Sequence, residues 1–202
     1  MSRDVLGGAP DANQWLAADL GARTARVVVA GVAGGVGATT LAALVARAVA
    51  RARPGRVALV DHTGGTLAER AGTAPGDAGW AAPTAAQVSV ECAGPTALLP
   101  GATAVRAPAV LPVVVAPWHP EGLRLGERAV AGLPGALLVA VDHARAERRP
   151  RSSPDHLGLP YDAALGVPGA VRDDLLDAPA REAVLAVALE SLARAGGRAL
   201  AP

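Results

Sequence analysis

Residues 26–40, with the sequence RVVVAGVAGGVGATT, decide the fold of this chain. The β-branched run at residues 26–31 predicts a buried strand, and the glycine-dense turn after it leads directly into an Ala/Leu-rich segment typical of a helix. A strand, a glycine-rich turn and a helix N-terminus together form a nest of backbone N–H groups beside the positive end of a helix dipole. The stretch therefore predicts an α/β fold with a phosphate-binding loop.

The same alternation of short apolar runs and helical segments continues to the C-terminus, which is typical of a parallel sheet flanked by helices. The predicted strands are 26–31, 56–61, 87–92, 111–116 and 135–141. The predicted helices are 39–52, 121–132 and 171–195, and the predicted loops are 72–86, 93–110 and 144–160. We interpret residues 26–202 as a single α/β domain. Residues 1–25 form an N-terminal arm, in which Asp11 caps a short helix that bears Trp15, Leu16 and Leu20 and docks on the core.

Composition limits the chemistry that the chain can perform. The 202 residues are 51% hydrophobic and carry 19 positive and 18 negative charges, a net charge of +1. All 19 basic residues are arginine. The absence of lysine excludes Schiff-base catalysis and any lysine contact with a nucleotide phosphate. The near-neutral charge also argues against a dedicated nucleic-acid-binding protein.

The sequence favours a cytoplasmic location. Cys92 is the single cysteine and allows no intramolecular disulfide, and the start MSRDVLGGAP lacks the pattern of a secretory signal. No apolar run reaches the roughly 18 residues that a membrane helix needs. We therefore expect a cytoplasmic protein without a transmembrane segment.

The loop segment GGVGATT, together with the LVD that ends the second predicted strand, resembles the deviant Walker A ATPases of the MinD/ParA group. Within that group it is most similar to the CpaE/TadZ branch, which is tied to pilus and secretion machinery. The resemblance implies a three-layer P-loop NTPase fold with a mostly parallel sheet and a site for ATP or ADP with Mg²⁺. The nucleotide-binding positions that it implies are Gly34, Gly35, Val36, Gly37, Ala38, Thr39 and Thr40.

Several positions depart from the family pattern. Val32 replaces the first loop glycine, and Ala33 and Ala38 stand where the family has its two phosphate-contacting lysines. Loss of one charge-assisted phosphate contact costs about 1.5 to 3 kcal/mol, or roughly 10- to 150-fold in affinity. An arginine from elsewhere in the fold could restore the charge. The loop therefore predicts nucleotide binding that is weak or lost, with hydrolysis lost.

Three carboxylates occupy positions that the resemblance assigns to metal or base binding. Asp61 and Glu91, with Thr39, would hold magnesium, while Thr63 replaces a carboxylate that helps to orient the attacking water. Asp142 stands where the family often has an adenine-contacting Asn, and it can accept from the adenine amino group. For Asp61 and Glu91 the alternative is structural, because a carboxylate at a strand end can cap loop N–H groups.

The remaining candidate metal-binding and catalytic residues predict no specific site. The four histidines and Cys92 lack metal-binding spacing, and no Gly-x-Ser-x-Gly motif is present. The Asp-His pairs at 61–62 and 142–143 are not dyads, because adjacent strand residues point to opposite faces. The arginine-rich stretch 145–151 fits a solvated loop, or a contact with DNA phosphates or acidic lipid.

Three functions follow. The first is a degenerate, non-catalytic localisation or assembly factor for a pilus or secretion system, which binds a protein partner, a related ATPase or a second copy of itself and is recruited to a membrane assembly. The second is a weak ATP-binding protein that hydrolyses ATP slowly. The third is a DNA-associated partitioning factor, which would rest on the arginine stretch 145–151.

Overall fold

A six-stranded sheet, parallel throughout the described residues, forms the centre of the fold. The computed structural model describes residues 12–17, 20, 24–73, 79–96, 109–144 and 156–195. The strands are β1 (Ala25–Gly31), β2 (Val57–Asp61), β3 (Val88–Pro95), β4 (Val110–Pro117), β5 (Leu137–Val141) and β6 (Leu157–Leu159). Their order across the sheet is β2-β3-β1-β4-β5-β6. The central strands are apolar on both faces, as burial between two layers of helices requires.

Helices cover both faces of the sheet. They are α1 (Ala12–Ala17), α2 (Ala38–Ala52), α3 (Leu67–Ala71), α4 (Pro120–Ala131) and α5 (Ala178–Ala195), with a short 3₁₀ helix at Ala163–Gly166. On one face α2 and α5 pack against alternate side chains of the strands, such as Val27, Val29 and Val113. On the other face α4 packs against Val114, Ala116 and Leu138. The arrangement is a three-layer α/β fold.

The start of helix α4 is determined by the residues at its N-terminus. His119 caps it, since its Nδ1 accepts a hydrogen bond from the Gly122 N–H at 3.1 Å, and Pro120 occupies the first turn. A Cβ on Gly122 would lie 2.3 Å from the carbonyl oxygen of Pro117. Glycine at this position therefore lets α4 start directly against the end of β4.

All five predicted strands are present, with bounds that differ by at most three residues. Three short elements were not predicted: β6, α3 and the 3₁₀ helix at Ala163–Gly166. The strand β6 lies within the predicted loop 144–160 and contains Gly158, which gives little strand signal; a Cβ there would lie 2.1 Å from the Trp118 ring. The five-residue helix α3 is too short for a periodic pattern.

The prediction for the last helix was wrong at its start. The helix α5 begins at Ala178, not at residue 171. Asp177 caps it, because Oδ1 of Asp177 accepts a hydrogen bond from the Ala180 N–H at 2.8 Å, and Pro179 follows in the first turn. The capping signal was present in the sequence, but the apolar residues before it obscured the boundary.

The N-terminal segment contacts the core through α1. Leu16 is fully buried between α2 and α5, and its carbonyl accepts a 2.6 Å hydrogen bond from Nε of Arg53. Asp11, the predicted cap of this helix, lies outside the described residues. The division into an arm of residues 1–25 and a domain of residues 26–202 stays a prediction. Within the described part of the chain, no helix has both the length and the apolar character to cross a membrane.

Candidate functional site

The glycine-rich loop follows β1, on either side of which the strand order runs in opposite directions. From β1 the chain passes over β3 to β2 on one side, whereas β4 and β5 follow on the other side. Open α/β sheets bind ligands at such a reversal, outside the carboxyl ends of the strands. The loop that follows Gly31 therefore occupies the position where a ligand is expected.

The loop backbone is held open by glycine. Gly35 and Gly37 have φ angles of +76° and +89°, in the left-handed region that disfavours other residues. The loop is anchored at both ends, because the Val32 N–H donates to the Val115 carbonyl at 2.9 Å and the Leu41 N–H donates to the Gly37 carbonyl at 2.8 Å. In the described part of the chain, the N–H groups of residues 34–37 make no backbone hydrogen bond of the turn, loop or cap type.

A cavity of about 200 Å³ lies beside this loop. One wall is formed by Gly35, Gly37 and Thr40, at the start of α2. The opposite wall comes from the ends of β5 and β6 and includes Asp142 and Tyr161. The cavity thus joins the predicted phosphate loop to the predicted base-contacting residue.

The predicted nucleotide-binding residues divide into two groups. Gly35, Gly37, Thr40 and Asp142 line the cavity, and Gly34 is exposed in the loop beside it. The others face the protein: Val36 is buried, and Ala38 packs against the main core. Oγ1 of Thr39 lies 3.5 Å from Sγ of Cys92.

Asp142 is buried beneath the cavity at the end of β5. Its Oδ1 accepts a 3.2 Å hydrogen bond from the Ala144 N–H, and its own N–H donates to the Leu159 carbonyl at 3.0 Å. These contacts tie β5 to β6 at the point where both strands border the cavity.

Glu91 lies on the sheet face opposite Thr39. The strand β3 continues to Pro95, so Glu91 is an internal residue of the strand, opposite Val28 of β1, and not at its end. Because side chains alternate along a strand, it is the neighbouring Cys92 that points toward α2 and Thr39. The structure does not bring Glu91 and Thr39 together.

Glu91 is satisfied by neighbouring side chains. It forms a bidentate ion pair with Arg26 at 2.7 and 2.9 Å. Nε2 of His62 lies 2.9 Å from Oε2 of Glu91, and Oγ of Ser89 donates a hydrogen bond to Oε1 at 3.0 Å. Burial by itself raises the pKa of Glu91, but the hydrogen bonds from Arg26, His62 and Ser89 outweigh it and lower that pKa to about 2. The carboxylate is therefore ionised and compensated at neutral pH.

Asp61 caps the loop that follows β2. Its Oδ1 accepts hydrogen bonds from the N–H of Thr63 at 2.8 Å and from its hydroxyl at 2.6 Å, and its Oδ2 accepts from the Leu67 N–H at 3.0 Å. Burial acts to raise the pKa of Asp61, yet these hydrogen bonds lower it below its ordinary value. The carboxylate takes the capping role that was the structural alternative to metal binding.

Thr39 and Glu91 lie on opposite faces of the sheet, and Asp61 is held by the loop that it caps. The magnesium-binding role of these three residues stays a prediction. In the described ranges, no group of three His, Cys, Asp or Glu side chains is placed to hold a metal ion.

Arg70 of α3 contacts a residue that lines the cavity, and the sequence contains no signal for it. Its Nε and Nη2 lie 3.4 and 3.3 Å from Oγ1 of Thr40, which lines the cavity. Nη1 also donates to the carbonyls of Val167 and Gly169, and Nη2 to that of Leu165. No motif marks this residue, because the helix that carries it is too short for a periodic signal.

The arginine-rich stretch 145–151 lies outside the described residues. Of the two Asp-His pairs, Asp61 and His62 do point to different partners, since His62 pairs with Glu91 and Asp61 caps its own loop.

Comparison with known proteins gives no relative for this chain: no family model, no curated protein and no solved structure matches it.

Proposed function

We propose that this chain is a nucleotide-binding protein of the P-loop type that does not hydrolyse ATP and acts as a localisation or assembly factor. The observation that carries the proposal is the cavity of about 200 Å³ in which Gly35, Gly37 and Thr40 face Asp142. It lies at the reversal of the strand order, where open α/β sheets bind ligands.

The size of the cavity fits part of a nucleotide. Ligand pockets usually have volumes of about 300 to 1,000 Å³, and this cavity is smaller, at about 200 Å³. Gly34 and Gly35 are exposed at its edge. We infer that the base and sugar occupy the cavity near Asp142, while the phosphates lie over the exposed loop and accept hydrogen bonds from its N–H groups.

The surroundings of the cavity support binding without turnover. Phosphoryl transfer depends on cations placed around the transferred group. Ala33 and Ala38 replace the two lysines of the resembled family, and Thr63 replaces a carboxylate. The carboxylates of Asp61 and Glu91 are held by protein hydrogen bonds.

The cellular role is proposed from the resemblance to the CpaE/TadZ branch of the MinD/ParA group. The partner would be a component of a pilus or secretion assembly, a related ATPase or a second copy of this chain. Such a partner would recruit the protein from the cytoplasm to a membrane assembly.

Calorimetric titration of the full chain with ADP and ATP, with and without Mg²⁺, tests the proposal. We expect saturable binding of both nucleotides, little dependence on Mg²⁺ and no release of phosphate. Ala38→Lys should tighten binding by roughly 10-fold or more, because it adds a charge-assisted phosphate contact.

A matched pair of glycine variants locates the site. Gly37 and Gly135 have φ angles of +89° and +78°, so leucine at either position carries a similar backbone strain. The residue at 37 would project toward Val141 and His143 in the cavity, whereas Gly135 lies outside it. Gly37→Leu should abolish binding and Gly135→Leu should retain it. Equal losses would place the site elsewhere. Steady ATP turnover by the wild type would instead support the slow ATPase, and no binding by either wild type or Ala38→Lys would refute nucleotide binding.

A further inference from the structure

Arg70 connects α3 to two segments that line the cavity. It lies on α3, it contacts Thr40 in the first turn of α2, and its guanidinium donates to carbonyls of the segment 165–169. Leu165 and Gly166 of that segment line the cavity together with Thr40. The backbone joins the same elements, since the Val171 N–H donates to the Arg70 carbonyl at 2.8 Å. Arg70 therefore fixes one wall of the cavity against the glycine-rich loop.

The charge of Arg70 has no carboxylate partner within the described residues, because all of its acceptors are neutral oxygens. Six other described arginines form ion pairs with carboxylates, whereas Arg56, Arg128 and Arg181, like Arg70, form none with the described residues; the six are Arg26, Arg47, Arg51, Arg124, Arg172 and Arg194. The Arg70 residue is also half-buried, which reduces screening by solvent. A fixed positive charge, without a carboxylate partner in the described part of the chain, thus lies beside the cavity wall formed by Thr40.

The negative charges of the cavity lie on its other side. Asp142 follows β5, and Asp162 follows β6, where it caps the 3₁₀ helix by accepting from the Ala164 N–H at 2.8 Å. The positive charge of Arg70 therefore attracts a phosphate toward the wall that contains Gly37 and Thr40. The cavity has a polarity that suits a ligand with one anionic end.

We propose that Arg70 is a positioning residue that also supplies, in place of the absent lysines, the positive charge that selects the phosphate end of the ligand. This inference rests on the proposed nucleotide binding. Arg70 acts through Thr40, whose hydroxyl it orients, through the segment 165–169, and through its electrostatic field. It makes the site selective for a nucleoside phosphate over the uncharged nucleoside.

The test compares three probes, ADP, adenosine and tripolyphosphate, by calorimetry at low and high ionic strength. Arg70→Gln removes the charge and keeps hydrogen-bond donors, and Arg70→Lys keeps the charge. Arg172→Gln is the matched control, because Arg172 is an exposed arginine paired with Asp174 outside the cavity. Arg70→Gln should weaken ADP binding on the order of 10-fold, leave adenosine binding unchanged and remove the salt dependence of ADP binding. Arg172→Gln should behave as the wild type.

The ratio of ADP to adenosine affinity separates charge selection from a purely structural role. If Arg70→Gln weakens both ligands equally, or neither, the inference is wrong. If Arg70→Gln does not fold, Arg70→Lys decides: selectivity for ADP should persist in this variant, and its loss would overturn the inference.

The proposed function and this inference can fail separately. Tripolyphosphate binding that depends on Arg70, without binding of ATP or ADP, would support the inference and refute the nucleotide proposal. If the wild type binds ADP and Arg70→Gln keeps the same ratio of ADP to adenosine affinity, the nucleotide proposal is supported and the inference on Arg70 is refuted. No binding of any probe would refute both.

Discussion

The two sides of β1 use their polar groups in opposite ways. On the β2–β3 side, Glu91 forms an ion pair with Arg26 and a hydrogen bond with His62, and Asp61 is held by the loop that it caps. On the β4–β6 side, a cavity of about 200 Å³ stays open next to the glycine-rich loop, and Arg70 beside it pairs with no carboxylate among the described residues. The polar groups of one side are satisfied by neighbouring side chains and backbone, and the other side keeps an open cavity.

The contrast shows that the predicted metal-binding carboxylates and the glycine-rich loop have different surroundings in this chain. In the resembled family both sides serve one ligand, since the metal-binding carboxylates and the loop act on the same phosphates. Here the carboxylates contribute to the fold through the Arg26–Glu91 pair and the Asp61 cap. We therefore expect substitutions on the β2–β3 side to change stability, and substitutions near the cavity to change ligand binding.

The largest effect is expected for Arg26→Met. This change leaves the Glu91 carboxylate buried without its bidentate partner, which should lower the free energy of unfolding by about 3 kcal/mol. Urea denaturation measures the loss. The double variant Arg26→Met/Glu91→Leu should recover most of it, because no buried charge remains. A loss below about 1 kcal/mol would show that the ion pair contributes little and would weaken the contrast between the two sides.

The pH dependence of stability should be the next largest effect. The pKa of Glu91 is about 2 in the folded chain, against an ordinary value of 4.5. The carboxylate therefore stabilises the fold above pH 4.5, and this contribution, about 2 to 3 kcal/mol, is lost as the pH falls from 4.5 toward 2. Glu91→Gln should remove this part of the acid sensitivity, whereas Glu182→Gln, at an exposed position on α5, should keep it. Identical acid denaturation profiles for Glu91→Gln and wild type would contradict the assignment.

The smallest effect is expected for Asp61→Ala. The variant loses the cap of the loop after β2, so the free energy of unfolding should fall by about 1 kcal/mol. Nucleotide affinity should not change, with or without Mg²⁺, because Asp61 lies outside the cavity lining. If Asp61→Ala lost affinity for Mg-ATP but kept its affinity for ADP without Mg²⁺, Asp61 would bind a metal ion. The two sides of β1 would then belong to one site.

The sequence predicted well those features that depend on neighbouring residues. The β-branched run of β1 and the glycines of its loop are local signals, and they located both the strand and the edge of the cavity. The loop residues Gly35, Gly37 and Thr40 meet Asp142 because parallel strands bring their carboxyl ends to one edge. The start of α5 was wrong because apolar residues before Asp177 extended the helical pattern past its cap.

The sequence by itself determined the parallel α/β fold, the glycine-rich loop after β1 and the absence of lysine from that loop, because each is written in the identity and spacing of adjacent residues. Only the tertiary structure decided which face of β3 carries Glu91, and that Arg70 reaches Thr40 from α3. Strand register, the length of β3 and the path of a long arginine side chain depend on contacts between residues distant in the chain. The closed β2–β3 side and the open β4–β6 side therefore emerge only when the sheet is assembled.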